Sequence, residues 1–425
     1  MKQMAATAPP RPQPKLDDYA AVAGRAEIDE IRRLAEHLKG FRLQHINSTR
    51  VGGGVAELLA CKVPIMNELG MRVIWDVLEG TPPFFDMTKR MHNALHGAPV
   101  WLDRESWRVY EEATLKNHAL PKNDVDLVII HDPQPAGLVQ FRSDDVRWLW
   151  RCHIDLSAAD IAAWAFLRKR VERFDAAVFH LPQYTKDLMI PQYLLPPAID
   201  PLSSKNEEIP EAESKEIVAR LGVDPELPMV LQVSRFDYLK DPFGVLEAYR
   251  LATGAEASQL VLAGGAADDD PEGAEVYAKL VDRAAGVPNV TLLNLPPDSH
   301  REINALQRVA RVVVQKSIRE GFGLVVAEAM WKGKPVIGNS VGGIREQILH
   351  GVTGYLVHST EGMAFRIRQL LTNLELNRRL GEAAKENVRA NYLLPTSLRR
   401  WMALFLVMQR GAVGVEYLEN SETSR

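Results

Sequence analysis

Two hydrophobic periods alternate along this chain. Short apolar runs rich in Val, Ile and Leu recur between longer segments whose apolar positions return every three or four residues. The short runs read as buried strands, and the longer segments as helices packed on them. In the first half the strand candidates are residues 42–46, 72–77, 126–131, 147–153 and 176–180, after a helical lead-in over 17–39. In the second half they are 229–233, 259–263, 290–293, 311–315, 335–338 and 354–357, with helices such as 242–252 and 273–285 between them. The halves are separated by Leu195-Pro-Pro-Ala-Ile-Asp-Pro201 and a polar stretch over 203–213. From 363 to 409 the pattern is wholly helical, interrupted at Pro395.

Repeated strand–helix alternation predicts an α/β protein with parallel sheets covered by helices on both faces. Two such runs around a proline-rich joint predict two doubly wound domains, residues 15–199 and 200–395, facing an interdomain cleft. Residues 1–14 read as a disordered leader without a signal-peptide core.

Composition narrows the partners. Apolar residues make up 46% and charged residues 25%, as in ordinary globular proteins. The 51 basic and 55 acidic residues give a net charge of −4, which argues against nucleic acid as the main partner. Only Cys61 and Cys152 occur, which excludes a disulfide framework and a cysteine zinc site and fits a reducing cytoplasm. No apolar run is long enough to predict a membrane-spanning helix, so no membrane partner is expected.

The richest chemistry lies in Glu320-Gly-Phe-Gly-Leu-Val-Val-Ala-Glu328. It follows a strand candidate, and its glycines mark a strand-to-helix turn where amides can approach an anion. Eight positions are just over two helical turns, so Glu328 shares a face with that turn. One carboxylate can then meet a sugar and the other a ribose. Ser234-Arg-Phe-Asp-Tyr-Leu-Lys-Asp-Pro242 ends another strand, and two readings fit it. Arg235 and Lys240 can clamp two phosphates, or they can pair with Asp237 and Asp241 in an exposed loop. Val51-Gly-Gly-Gly-Val55 either brings backbone close to a phosphate or sugar or is a flexible loop. His131-Asp-Pro-Gln134 and Arg151-Cys-His-Ile-Asp155 sit at two strand ends, where Asp132, His153 and Asp155 either meet sugar hydroxyls or serve the fold. Ala267-Asp-Asp-Asp270 looks like a solvated loop and not a metal site.

Together these segments resemble the retaining GT-B glycosyltransferases of family 4, whose fold pairs two Rossmann-like domains and implies that the helices of 396–425 cross back to complete the first. The resemblance rests on Glu320–Glu328, on Gly333-Lys-Pro-Val336, on the Ser234–Asp241 stretch and on Pro196-Pro-Ala-Ile-Asp200. Residues 47–57, Trp75-Asp-Val-Leu-Glu79 and His131–Gln134 are similar to the branch that joins an NDP-glucose to free glucose to give α,α-trehalose. The resemblance implies donor contacts from Gly53, Gly54, Gly321, Phe322 and Gly323, a diphosphate clamp from Arg235 and Lys240, and a sugar-holding Glu320. It further implies Glu328 on the ribose, His153 on the donor glucose and Asp132 on the acceptor side, with Gln134 and Asp155 nearby. No cofactor or divalent metal is expected, the substrates are NDP-glucose, glucose and trehalose, and the enzyme is expected to be a cytoplasmic homodimer. A trehalose phosphorylase of the same fold, a glucan-elongating synthase and a silent sugar-nucleotide sensor are the rival readings. The chain departs from the family pattern at Gln315-Lys-Ser-Ile-Arg319, where a Pro-Ser pair is common, and at Trp331.

Overall fold

The computed structural model describes residues 13–50, 54–252, 257–265 and 271–410. Most of the expected leader, Gly53, the Ala267–Asp270 loop and residues 411–425 lie outside the described residues.

Two six-stranded sheets carry the fold. The first contains β1 (Arg42–Asn47), β2 (Arg72–Val77), β3 (Leu127–His131), β4 (Arg147–Arg151), β5 (Ala176–Phe179) and β6 (Gln192–Leu194), in spatial order β2-β1-β3-β4-β5-β6. The second contains β7 (Met229–Val233), β8 (Gln259–Gly264), β9 (Val290–Asn294), β10 (Val312–Gln315), β11 (Val336–Asn339) and β12 (Gly354–Val357), in order β12-β11-β10-β7-β8-β9. Every neighbouring pair is parallel. β6 escapes the hydrophobic pattern because three residues are too few to display alternation.

Strand residues alternate between two cores, as a pleat requires. In β3, Leu127 and Ile129 join a core with Leu398, Met402 and Phe405, while Val128 and Ile130 face another with Phe84, Met91 and Tyr110. In the second sheet, Val313 and Leu231 point to one core and Val230, Val312 and Val314 to the other. Burial on both faces explains the near-continuous apolar runs.

The chain crosses between the sheets twice, and the crossings touch. The Ile199 N–H donates to the Tyr392 carbonyl at 2.8 Å, and the Leu394 N–H donates to the Ile199 carbonyl at 2.9 Å. The last helix, Leu394–Arg410, then packs on the first sheet through Leu398, Trp401 and Phe405. Pro395 therefore does not break the helical run. It sits in the first turn of that helix, where a missing N–H leaves no bond unmade. The breaks fall instead at Asn373, between Thr360–Thr372 and Leu374–Asn391, and at Tyr392–Leu393.

Candidate active site

Both sheets have a point where strand order reverses: between β1 and β3 in the first, between β7 and β10 in the second. Chains leaving those strands diverge to opposite faces and open a crevice at their carboxyl ends. The segments singled out above emerge there. The helix Gly54–Glu68 follows β1, Asp132 follows β3, Arg235 and Lys240 follow β7, and Glu320 follows β10. The two crevices face each other and share one cavity of about 930 Å³. Two helix N-termini meet across it, since a Cβ on Gly54 would lie 3.3 Å from Leu324 at the start of the helix Leu324–Trp331. The positive ends of the two helix dipoles favour an anion between them.

Glu320 is held by two donors. Its Oε2 accepts from Lys240 Nζ at 2.7 Å and from Ser317 Oγ at 3.1 Å. Ser317 is in turn held by Gln315, whose Nε2 donates to its hydroxyl at 3.1 Å. The stretch that departs from the family pattern thus still supplies a hydroxyl to the carboxylate. The carbonyls of the glycine turn are taken from behind. Tyr184 Oη lies 2.9 Å from the Glu320 oxygen and 2.7 Å from that of Gly321, sharing its proton between them. Gln347 Nε2 donates to the Phe322 carbonyl at 2.6 Å. In a trans peptide the N–H points opposite to the preceding C=O, so these anchors turn the amides of Gly321, Phe322 and Gly323 the other way.

Arg235 and Lys240 divide between the two readings. Arg235 Nη2 lies 3.1 Å from Asp237, as the ion-pair reading expects, with its side chain 65% exposed at the cavity wall. Lys240 turns from Asp241 to Glu320, and Asp241 pairs with Lys316 instead. Glu328 is buried, lines the same cavity and lies near Lys205. Burial pulls the Lys205 ammonium down, but the Glu328 and Glu57 carboxylates outweigh it and hold its pKa above the ordinary value. Lys205 Nζ donates to both Glu57 oxygens at 2.9 Å, tying the Gly54–Glu68 helix to the second half.

The acceptor-side expectations need correction. His153 lines the cavity, but Asp132, Gln134 and Asp155 do not. Asp132 sits behind His153 in left-handed backbone, φ 67°, and its Oδ1 accepts the His153 N–H at 2.7 Å. Such a conformation costs a non-glycine roughly 1–3 kcal/mol. Burial pushes its carboxyl up to about 7, against the pull of the His153 amide and Arg151. Asp155 turns back to accept the Ser157 N–H at 2.8 Å.

Known families match both halves of the chain. One described as "Trehalose synthase, N-terminal domain" matches residues 45–186, and one described as "Glycosyl transferases group 1" matches 213–387. A trehalose synthase of Pyrococcus horikoshii is 43% identical over 394 residues, covering 91% of this chain and 95% of that one. Another, from Rubrobacter xylanophilus, is 44% identical over 400 residues, covering 92% and 96%. The chain belongs to the trehalose synthase family of glycosyltransferases. Among solved structures, a sucrose-phosphate synthase from Thermosynechococcus elongatus superposes with a TM-score of 0.66 at 22% identity, covering 86% of this chain and 98% of that one. The shared fold is GT-B.

In this trehalose synthase family member several cleft residues carried no motif. Tyr184 and His180 follow β5, and the strand-end rule applied to β3 and β4 would have reached them. Arg319, His92 and His96 line the cavity from positions with no local signature. Lys62 is buried behind the site, where its Nζ donates to Ser397 Oγ at 2.8 Å. Burial and the Arg151 charge lower its pKa to about 7. The folded state therefore resists protonating Lys62, a cost that is full below pH 7 and gone above the unfolded value near 10.5. Lys62→Met should be more stable than wild type at pH 7, with the difference shrinking as pH rises towards 10. Denaturant melts at several pH values would check this, and a difference independent of pH would reject it.

Proposed function

We propose that the protein is a retaining glucosyltransferase that moves glucose from an NDP-glucose to free glucose, forming α,α-trehalose, in a reversible reaction. The observation that carries this reading is the Lys240–Glu320 pair lying where two helix N-termini oppose each other in a single cleft. A departing nucleoside diphosphate gathers negative charge while the sugar carbon gathers positive charge. Lys240, Arg235 and the turn amides stabilise the first. Glu320 orients the hexose and offsets the second, without forming a bond to it. The acceptor attacks from the face the diphosphate leaves, and a donor phosphate oxygen takes its proton. Because ammonium, guanidinium and amides already meet the diphosphate, its binding needs no divalent ion. Closure of the lobes keeps water from the donor.

The test is product analysis with UDP-, ADP- and GDP-glucose, each with glucose. Trehalose is expected from at least one donor. A trehalose phosphorylase of Pleurotus pulmonarius, 28% identical over 454 residues, matches 93% of this chain but the chain spans only 61% of that protein. Glucose 1-phosphate from trehalose and phosphate, with no trehalose made from any nucleotide donor, would overturn the proposal in favour of phosphorolysis. Glu328→Ala should weaken donor binding roughly tenfold to a hundredfold, the value of hydrogen bonds to a charged group. Calorimetry with the nucleotide alone checks this, and an unchanged affinity would remove Glu328 from the ribose.

A further inference from the structure

Four histidines in or just beyond four neighbouring strands stand in one row that runs from the cleft into the first half. His45 Nδ1 lies 3.0 Å from His131 Nε2, His131 Nδ1 lies 3.0 Å from His153 Nε2, and His153 Nδ1 lies 3.4 Å from His180 Nε2. His153 and His180 line the large cavity. His45 borders a second cavity of about 20 Å³, which His131, His153, Lys62 and Arg151 also line. The terminal atoms, His45 Nε2 and His180 Nδ1, are buried without a protein partner.

We propose that these four imidazoles form a two-state tautomer relay, in which His45 and His131 are positioning residues that decide whether His153 offers the donor sugar a proton or a lone pair. The proposal rests on the glucosyltransferase reading of the cleft. Each link needs one N–H and one bare nitrogen. Each neutral imidazole has a single N–H to give. If His45 carries its proton on Nδ1, His131 must accept on Nε2 and carry its own on Nδ1, and so on to His180. If His45 carries it on Nε2, every ring does. Mixed arrangements leave two lone pairs or two protons facing each other in a buried link. Burial, together with nearby cations, holds all four rings neutral, since it keeps their pKa values far below ordinary histidine.

The choice between the states is made at the Lys62 end. Below its pKa of about 7 Lys62 is charged, and its charge, with that of Arg151 lining the same small cavity as His45, favours a bare Nε2 on that side. That places the proton on Nδ1 in all four rings. His153 Nδ1–H then points along the longest link, the 3.4 Å contact, which a sugar oxygen in the cleft can replace. His153 thus acts as a donor to the sugar, although both its ring nitrogens are engaged in the ligand-free protein.

The relay is tested on the full chain with ¹⁵N-labelled histidine, by long-range ¹H–¹⁵N correlation at pH 6.5, where Lys62 is charged and the four imidazoles are neutral, without ligand and with assignments from single substitutions. The expected result is protonated Nδ1 and bare Nε2 at all four positions. Mixed tautomers among the four would overturn the relay, and uniform Nε2–H would overturn the donor role of His153. His131→Phe cuts the row and should release His153 into a tautomer mixture, lowering kcat/KM for the nucleotide sugar roughly tenfold, as expected for one hydrogen bond. His131→Asn keeps an N–H for His153 Nε2 and should restore both the tautomer and most of the rate. Equal loss in both variants, with an unchanged His153 tautomer, would reduce His131 to a packing role and overturn the proposal. The ligand-free spectra do not depend on the reaction, so failure to make trehalose would leave the relay standing and remove only its sugar role.

Discussion

Lys240→Ala is expected to lower kcat/KM for the nucleotide sugar by about 10²–10³, the effect of removing one preorganised donor from a developing anion. Lys240 has two tasks in the cleft. Its ammonium neutralises Glu320 at 2.7 Å in the ligand-free protein, and it stands on the same wall as Arg235, where a diphosphate would lie. Truncation therefore removes charge stabilisation in the transition state and also loosens the carboxylate that orients the hexose. The fold should survive. Glu320 keeps its bond from Ser317, and the site opens on a large cavity that admits water. Lys240→Arg should not rescue the rate, because a planar guanidinium cannot take the place of the point charge that meets Glu320 Oε2. Steady-state kinetics with a thermal melt alongside would separate the two effects. Turnover at the wild-type level in Lys240→Ala would remove the ammonium from the mechanism.

Most of the architecture was legible because a parallel sheet buried on both faces writes itself as apolar runs. Eleven of the strands in the structure correspond to runs visible in the sequence, and only the three-residue β6 does not. The glycine turn at 321–323 was legible for a related reason. Gly323 adopts φ 78°, left-handed backbone that a side chain would resist, so its glycine reports on the conformation directly. What sequence could not show is which charge meets which. Lys240 lies beside Asp241 in the chain, yet it reaches Glu320, eighty positions away, because the two follow adjacent strands β7 and β10. The same limit misplaced the acceptor side. His131-Asp-Pro-Gln134 sits at a strand end, but a left-handed turn at Asp132 sends its carboxylate back to the His153 amide and away from the cavity. The segments holding His131 and His153 stood out in the sequence, but the row did not, because its members are separated by more than twenty residues each and meet only once the strands are laid side by side.

Gly342→Ala should be nearly as damaging to the reaction as loss of Lys240, for a purely steric reason. Gly342 has φ 44°, and a Cβ there would lie far inside contact distance of the Glu320 carbonyl oxygen and 2.7 Å from Tyr184 Oη. The first obstacle is backbone and cannot rotate away. Either the Glu320–Gly323 turn or the turn at Gly342 must shift, and the Gly343 N–H that donates to Gly321 at 3.2 Å resists any independent movement of the two. A displacement on the order of 1 Å at a positioned group costs about 10² in rate. The expected result is kcat/KM down roughly a hundredfold, with binding of the nucleotide alone changed far less, because Glu328 lies about one turn into a helix packed through Val326 and Met330. Gly351→Ala is the matched control. It also has left-handed backbone, φ 78°, but a Cβ there meets nothing within 4 Å. That variant should lose about 1 kcal/mol of stability and no activity. Equal activity losses in the two would show that backbone strain, and not the crowding of Glu320, is responsible. Full activity in Gly342→Ala would mean that the position of the Glu320 turn does not limit transfer.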